Sequence, residues 1–234
     1  RFAPGVWKIL AGTPSDRMNM KIFSAYEVGT YIMMGNQIPP PPDLPPGFQN
    51  KEGLENFSLV RNLSGDKVYE GLAFGQQINF AANDLKFLIF YADMDLTVGY
   101  DVALLKNAIS CEGMDEVGFN DYYAIGKAYA GFDFTCGIDI DTWFLETKIE
   151  VFSAYLYAAV EVGLPNPTWV KGAATGGYSV LNGKLEGNFN FKFEAGQVCT
   201  PSSGGAFEGL EIIADMSPKG SGEDVFVTPQ VAFN

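Results

Sequence analysis

The sequence predicts an all-β fold, a long antiparallel meander forming a large curved sheet, sandwich or barrel, with a Pro-rich loop set into it. Three observations carry that expectation. Apolar and polar residues alternate with a period of two over unusually long runs, the pattern of strands with one buried face. Aromatics make up 14% of the 234 residues and Gly reaches 27, a pairing that suits sheets joined by tight turns. No long stretch keeps the 3.6-residue beat of an amphipathic helix.

The clearest run lies within residues 85–105. Every even position from Leu88 to Leu104 is apolar, while Asp93, Asp95, Thr97, Gly99 and Asp101 take odd ones. At roughly 3.3 Å per residue the alternation would extend about 55 Å, against a usual strand of about 17–20 Å. Such a ribbon needs equally long neighbours.

Taken in order, residues 6–10 read as a short strand and 20–34 as a second alternating run. QIPPPPDLPPGFQN then interrupts all regular structure with six prolines, which lack an amide donor and favour polyproline II. It reads as a stiff exposed loop between distant strands, with a docking ligand for an aromatic groove as the sharper alternative. The polar loop spans residues 35–66, with one short turn near 54–60. Residues 68–80 form a strand that passes through the turn-like Ala81-Ala82-Asn83-Asp84 into the central run.

Residues 122–141 resume the alternation, 142–146 read as a turn, and 148–164 form another long run. Pro165-Asn166-Pro167 terminates it. Residues 169–181 carry Gly172, Gly176 and Gly177, and glycines inside a strand suggest bulges or close backbone approach. Asn182-Gly183 is the strongest hairpin signal and leads into 184–194. A loop and a short strand at 210–214 precede the tail. These elements divide the chain into a large β domain, 1–209, and a connecting strand with the start of a further module, 210–234.

Composition excludes several chemistries. Net charge is −13 with a pI near 4.3, which repels phosphate backbones and argues against a nucleic-acid partner. Histidine is absent, removing the commonest general base and most zinc sites. Cys111, Cys136 and Cys199 are too few for a metal knuckle or a disulfide-dense scaffold. Cys136 falls on the apolar register and reads as a small buried residue, whereas Cys111 and Cys199 are the pair to test for a bridge. No apolar run is long enough for a transmembrane helix. The chain begins with Arg1 and carries no signal peptide, as a processed product or an excised piece would.

Candidate sites are few. Glu112, Asp115, Glu116 and Asp121 suit calcium by ligand type, but their spacing does not match a calcium loop, and a solvated acidic loop is the plainer reading. Asn56-Phe57-Ser58 and Asn62-Leu63-Ser64 match a glycosylation pattern that matters only in a eukaryotic secretory setting. Asp139 and Asp141, near Trp143, are the one carboxylate pair with an aromatic platform suited to glycan chemistry. Solvent-facing acids on a sheet are commoner than catalytic ones. No catalytic, cofactor-binding or metal-binding residue is assigned, and no cofactor is expected.

Two segments resemble known families. The tail, with Pro218, Gly220, Val225, Val227, Pro229 and Phe233, is similar to the opening strand of bacterial immunoglobulin-like modules. Residues 165–199 and 120–134 resemble a region of large, uncharacterised envelope or secreted proteins of gliding, type IX-secreting bacteria, in which a WxxG strand, a glycine hairpin and a GNFxFxF strand recur. That resemblance implies an exported, multidomain surface protein and supplies no catalytic residues.

The leading expectation is therefore a non-enzymatic structural module of an exported, cell-surface or extracellular multidomain protein, probed by its partners: other modules of the same chain or assembly, or further copies of itself. An outer-membrane β-barrel is the second reading. It needs only about four outward apolar side chains per strand, fewer than the central run supplies. A carbohydrate-binding or carboxylate-dependent glycan-acting β domain is the third.

Overall fold

The computed structural model describes residues 2–3, 5–23, 25–39, 41–55, 57, 68–106, 117–143, 145–197, 215–217 and 230–232. Within them the chain is an antiparallel meander, as the alternation requires. The strands are β1 (Phe2–Ala3), β2 (Val6–Ala11), β3 (Met18–Ile22), β4 (Tyr26–Ile38), β5 (Tyr69–Phe87), β6 (Phe90–Lys106), β7 (Tyr122–Thr142), β8 (Leu145–Leu164), β9 (Trp169–Val180) and β10 (Leu185–Gly196). They form one sheet in the order β1-β2-β4-β5-β6-β7-β8-β9-β10, with β3 also on β4. Among the described residues the sheet is open, not closed into a barrel, and β10 pairs with β9 alone. Residues Pro201–Asn234 make a separate unit, in which β11 (Asp215–Ser217) pairs with β12 (Gln230–Ala232).

Four boundaries differ from those expected. The run at 85–105 is two strands, because Leu88 takes φ 58 and, with Ile89, reverses the chain between Phe87 and Phe90. Apolar residues fill this turn, so the alternation passes through it unbroken. The run at 20–34 likewise divides at Phe23, φ 51, into β3 and β4. Conversely, Ala81 to Asp84 does not end a strand: β5 continues through it with an irregularity between Ala82 and Leu85. The turn expected at 142–146 shrinks to the two residues between β7 and β8.

The Pro-rich segment is not a free loop. Residues 41–55, including the single helical turn α1 (Pro46–Gln49), lie back on one face of the sheet. Leu44, Phe48 and Leu54 are buried there beside Tyr129, Tyr157, Ala159 and Ala173. The Phe48 ring meets Tyr129 and Tyr157 edge-on, with centroids 5.3 and 4.9 Å away. A Cβ on Gly131 would come within 2.8 Å of the Phe48 ring, so the ring's close approach depends on that glycine. Proline supplies stiffness here, lowering the entropy lost on docking, while the apolar side chains supply the burial.

The two faces are also reversed from the expected assignment. Burial follows the odd, polar register, with Tyr31, Asp101, Tyr129 and Glu161 covered, while the even, apolar register stays open. Cys136, on that open register, is only partly covered. Cys111, Cys199, Glu112, Asp115, Glu116, residues 62–64 and 210–214, Asn56, Ser58, and the tail positions Pro218, Gly220, Val225, Val227, Pro229 and Phe233 lie outside the described residues. Asp121 is exposed.

Candidate functional site

Residues directly opposite on antiparallel strands share a face, so register alone sorts the side chains. One transverse row of the open face runs Val28, Ile78, Val98, Ala130, Ala158, Ala174, Phe191, and a neighbouring row runs Tyr26, Phe80, Leu96, Phe132, Leu156, Gly176, Phe189. Between the row of Phe87 and Phe90 and the row of Met34, Leu72 and Leu104, the paired positions of this face include no Asp, Glu, Lys or Arg. Charge returns one row beyond, at Glu70 and Lys106. Val98, mid-row, is 41% exposed.

The covered face carries the charge. Register aligns Asp101, Lys127, Glu161, Lys171 and Glu194 on five successive strands, β6 to β10, with alternating sign. At the β6 end, Arg17 Nη2 donates to Asp101 Oδ1 at 2.8 Å, and its guanidinium lies 5.0 Å over the Tyr31 ring. Lys127 Nζ sits 3.6 Å from Asp101 Oδ2 and donates to the carbonyls of Pro42 and Asp43 at 2.5 and 2.8 Å. Lys171 Nζ approaches Glu161 Oε2 to 2.5 Å. Asp101 and Glu161 are both fully buried, which is tolerated because each faces a cation.

The row thus anchors the plug. Lys127 bridges sheet and Pro-rich backbone, and Lys51 of the plug lies 4.2 Å over Tyr157 and 4.9 Å over Tyr155 while reaching Asp133 at 3.5 Å. Tyr157 donates its own hydroxyl to Asp133. Burial lowers the Lys127 pKa, the Asp101 and Glu161 carboxylates opposing that shift, and burial pushes the Tyr129 hydroxyl up to about 12.

Burial also raises the Glu161 pKa against the pull of Lys171 and Lys127. A carboxyl that holds its proton more tightly folded than unfolded loses stability as pH rises from its ordinary 4.5 through its raised folded value. Glu161→Gln will flatten that decline, measured as the denaturant midpoint across this window. An unchanged slope would exclude Glu161 as its source.

Below the plug, the same face forms a groove of about 570 Å³ with Asp133, Glu150, Tyr155, Ser179 and Glu186 in its lining. Asp133 is engaged by Tyr157 and Lys51, and Glu150 accepts from Ser153 at 2.6 Å. Of the glycan pair, Asp139 is bound to Lys86 at 2.9 Å, and Trp143 stands 95% exposed at the β7–β8 turn. The side chain of Asp141 lies outside the described residues. Among the described residues no cluster of three or more Asp, Glu or Cys is arranged to hold a metal.

Sequence reasoning missed the charged row because its members are far apart in the chain. The available signal was that Asp101, Lys127, Glu161 and Lys171 all share the polar register of successive strands. No protein-family model, curated protein or solved structure matches the chain.

Proposed function

We propose that this chain is a section of the lipid-facing wall of an outer-membrane-type β-barrel, non-enzymatic, with residues 41–55 as a plug on its lumenal face. The single observation that supports the reading most is the charge-free outer face, exposed across β4 to β10 while every charged row of the sheet's middle lies on the plugged side. Water selects the opposite arrangement, and lipid selects this one.

The dimensions agree. Phe90 to Leu104 extend about 46 Å along β6, or about 33 Å in height at a tilt of about 45°, close to the roughly 30 Å hydrocarbon core. The excess of apolar positions in the sequence narrows because Leu88 belongs to a turn and tilt shortens the rest. Connectivity fits as well. Turns of two to four residues join β3 to β4, β5 to β6, β7 to β8 and β9 to β10, while between them 30 residues separate β4 from β5, 15 separate β6 from β7 and four separate β8 from β9, an alternation of short turns with longer connections that such barrels share in part.

Refolding from urea tests the reading. In lipid vesicles the chain should gain strand circular dichroism and protease resistance, and in detergent-free buffer it should aggregate. A monodisperse folded protein without lipid or detergent would overturn the proposal and favour a water-exposed structural module.

A further inference from the structure

Three of the four short turns share a property that chain reversal does not require. A turn that only reverses a hairpin uses residues such as Asn-Gly, as β9–β10 does at Asn182-Gly183. The others present large apolar side chains: Phe23 is 88% exposed, Leu88 83% and Trp143 95%. Phe23 and Leu88 hold φ of 51 and 58, a left-handed conformation that costs bulky residues about 1–2 kcal/mol and that glycine or asparagine would adopt more cheaply. Apolarity at these tips is thus maintained against backbone preference.

Resting on the lipid-wall reading, we infer that the short-turn end of the sheet is seated in the headgroup layer of a bilayer, with Leu88 and Trp143 as its anchors. The tips continue the charge-free band downward, since Phe87 and Phe90 flank Leu88 and oppose Ile138 and Ile149 across β7 and β8. The Leu88 and Trp143 tips stand two strand spacings, about 10 Å, apart across the sheet, whereas the Phe23 turn closes against Ala81, seven residues and roughly 23 Å short of Leu88 along β5. A protein partner would need a separate pocket for each tip, whereas an interface accepts dispersed aromatic side chains wherever they fall. The opposite end of the band closes on the charged pair Glu70 and Lys106, so the two ends of the wall meet different surroundings.

The chain's own tryptophan provides the test. With Trp7→Phe and Trp169→Phe, Trp143 is the sole fluorophore. A second variant adds Trp143→Phe and places the probe by Val98→Trp. Both are refolded into vesicles whose lipids carry bromine either near the headgroup or near the chain ends. Trp143 should be quenched about twofold more by the shallow bromine, and Val98→Trp more by the deep one. Quenching at Val98→Trp with none at Trp143 would overturn the seating of the tips while sparing the wall. Deep quenching at Trp143 would overturn the headgroup placement, and no quenching at either probe would overturn both readings. If Trp169→Phe prevents folding, a spin label at Leu88→Cys in a background carrying Cys111→Ser, Cys136→Ser and Cys199→Ser, read by its collision rates with oxygen and a water-soluble nickel complex, makes the same distinction.

Discussion

Arginine in place of Val98 will cost about 2–4 kcal/mol of folding stability in a bilayer, the penalty for a charged side chain at the lipid midplane of a barrel. Val98 is the natural position because its row lies midway along the charge-free face, with Ile78 and Ala130 beside it. The measurement is the urea midpoint of folding into vesicles, converted with the m-value of the unchanged protein. An equivalent change at a solvent-facing site moves stability by only about 0.5 kcal/mol. Arginine at Glu70, beside Lys106 at the limit of the band, is the matched control and should cost much less. Equal small effects at both positions would remove lipid from the account.

Asp101→Asn will destabilise the fold by about 3–5 kcal/mol, because breaking a buried ion pair leaves charge without a counterion. Here two cations lose their anion together: Arg17, at 2.8 Å, and Lys127, at 3.6 Å. The loss should reach the plug, since Lys127 also holds the Pro42 and Asp43 carbonyls. Faster protease cleavage within residues 41–55 is the expected accompaniment. Adding Lys127→Met should recover part of the stability by removing one stranded charge, and the double-mutant cycle isolates the coupling. If the double variant falls by the sum of the two singles, the side chains are not acting as a pair.

Much of the architecture was legible in the residues. The beat from Ala92 to Leu104 placed β6, Asn182-Gly183 placed the last hairpin, and Pro165 and Pro167 ended β8. What misled was the assumption about which register faces water. Periodicity reports that two faces differ and not which one is covered, and Asp101 reads the same whether it is solvated or matched to Arg17 and Lys127. The solvent-facing reading of the acids gave no weight to cations aligned with them on neighbouring strands. The plug was illegible for a related reason. Six prolines announce stiffness, but docking depends on Leu44, Phe48 and Leu54 meeting Tyr129 and Tyr157, residues some 70 to 115 positions away in the chain. Turns such as Leu88-Ile89 were hidden because they use the same residue types as the strands they join.

Parity gives the open sheet a consequence. β2 and β3 lie end to end against β4 in a single lane, and β4 to β10 add seven more, so that along the length not covered by the two-residue β1, which lies outside β2, the array holds eight lanes. An even number makes the first and last lanes run in opposite directions. Such arrays can tile edge to edge, every junction antiparallel, with all their plugs on the same side and none upside down. One lane more or fewer would force each neighbour either to join in parallel or to be inverted.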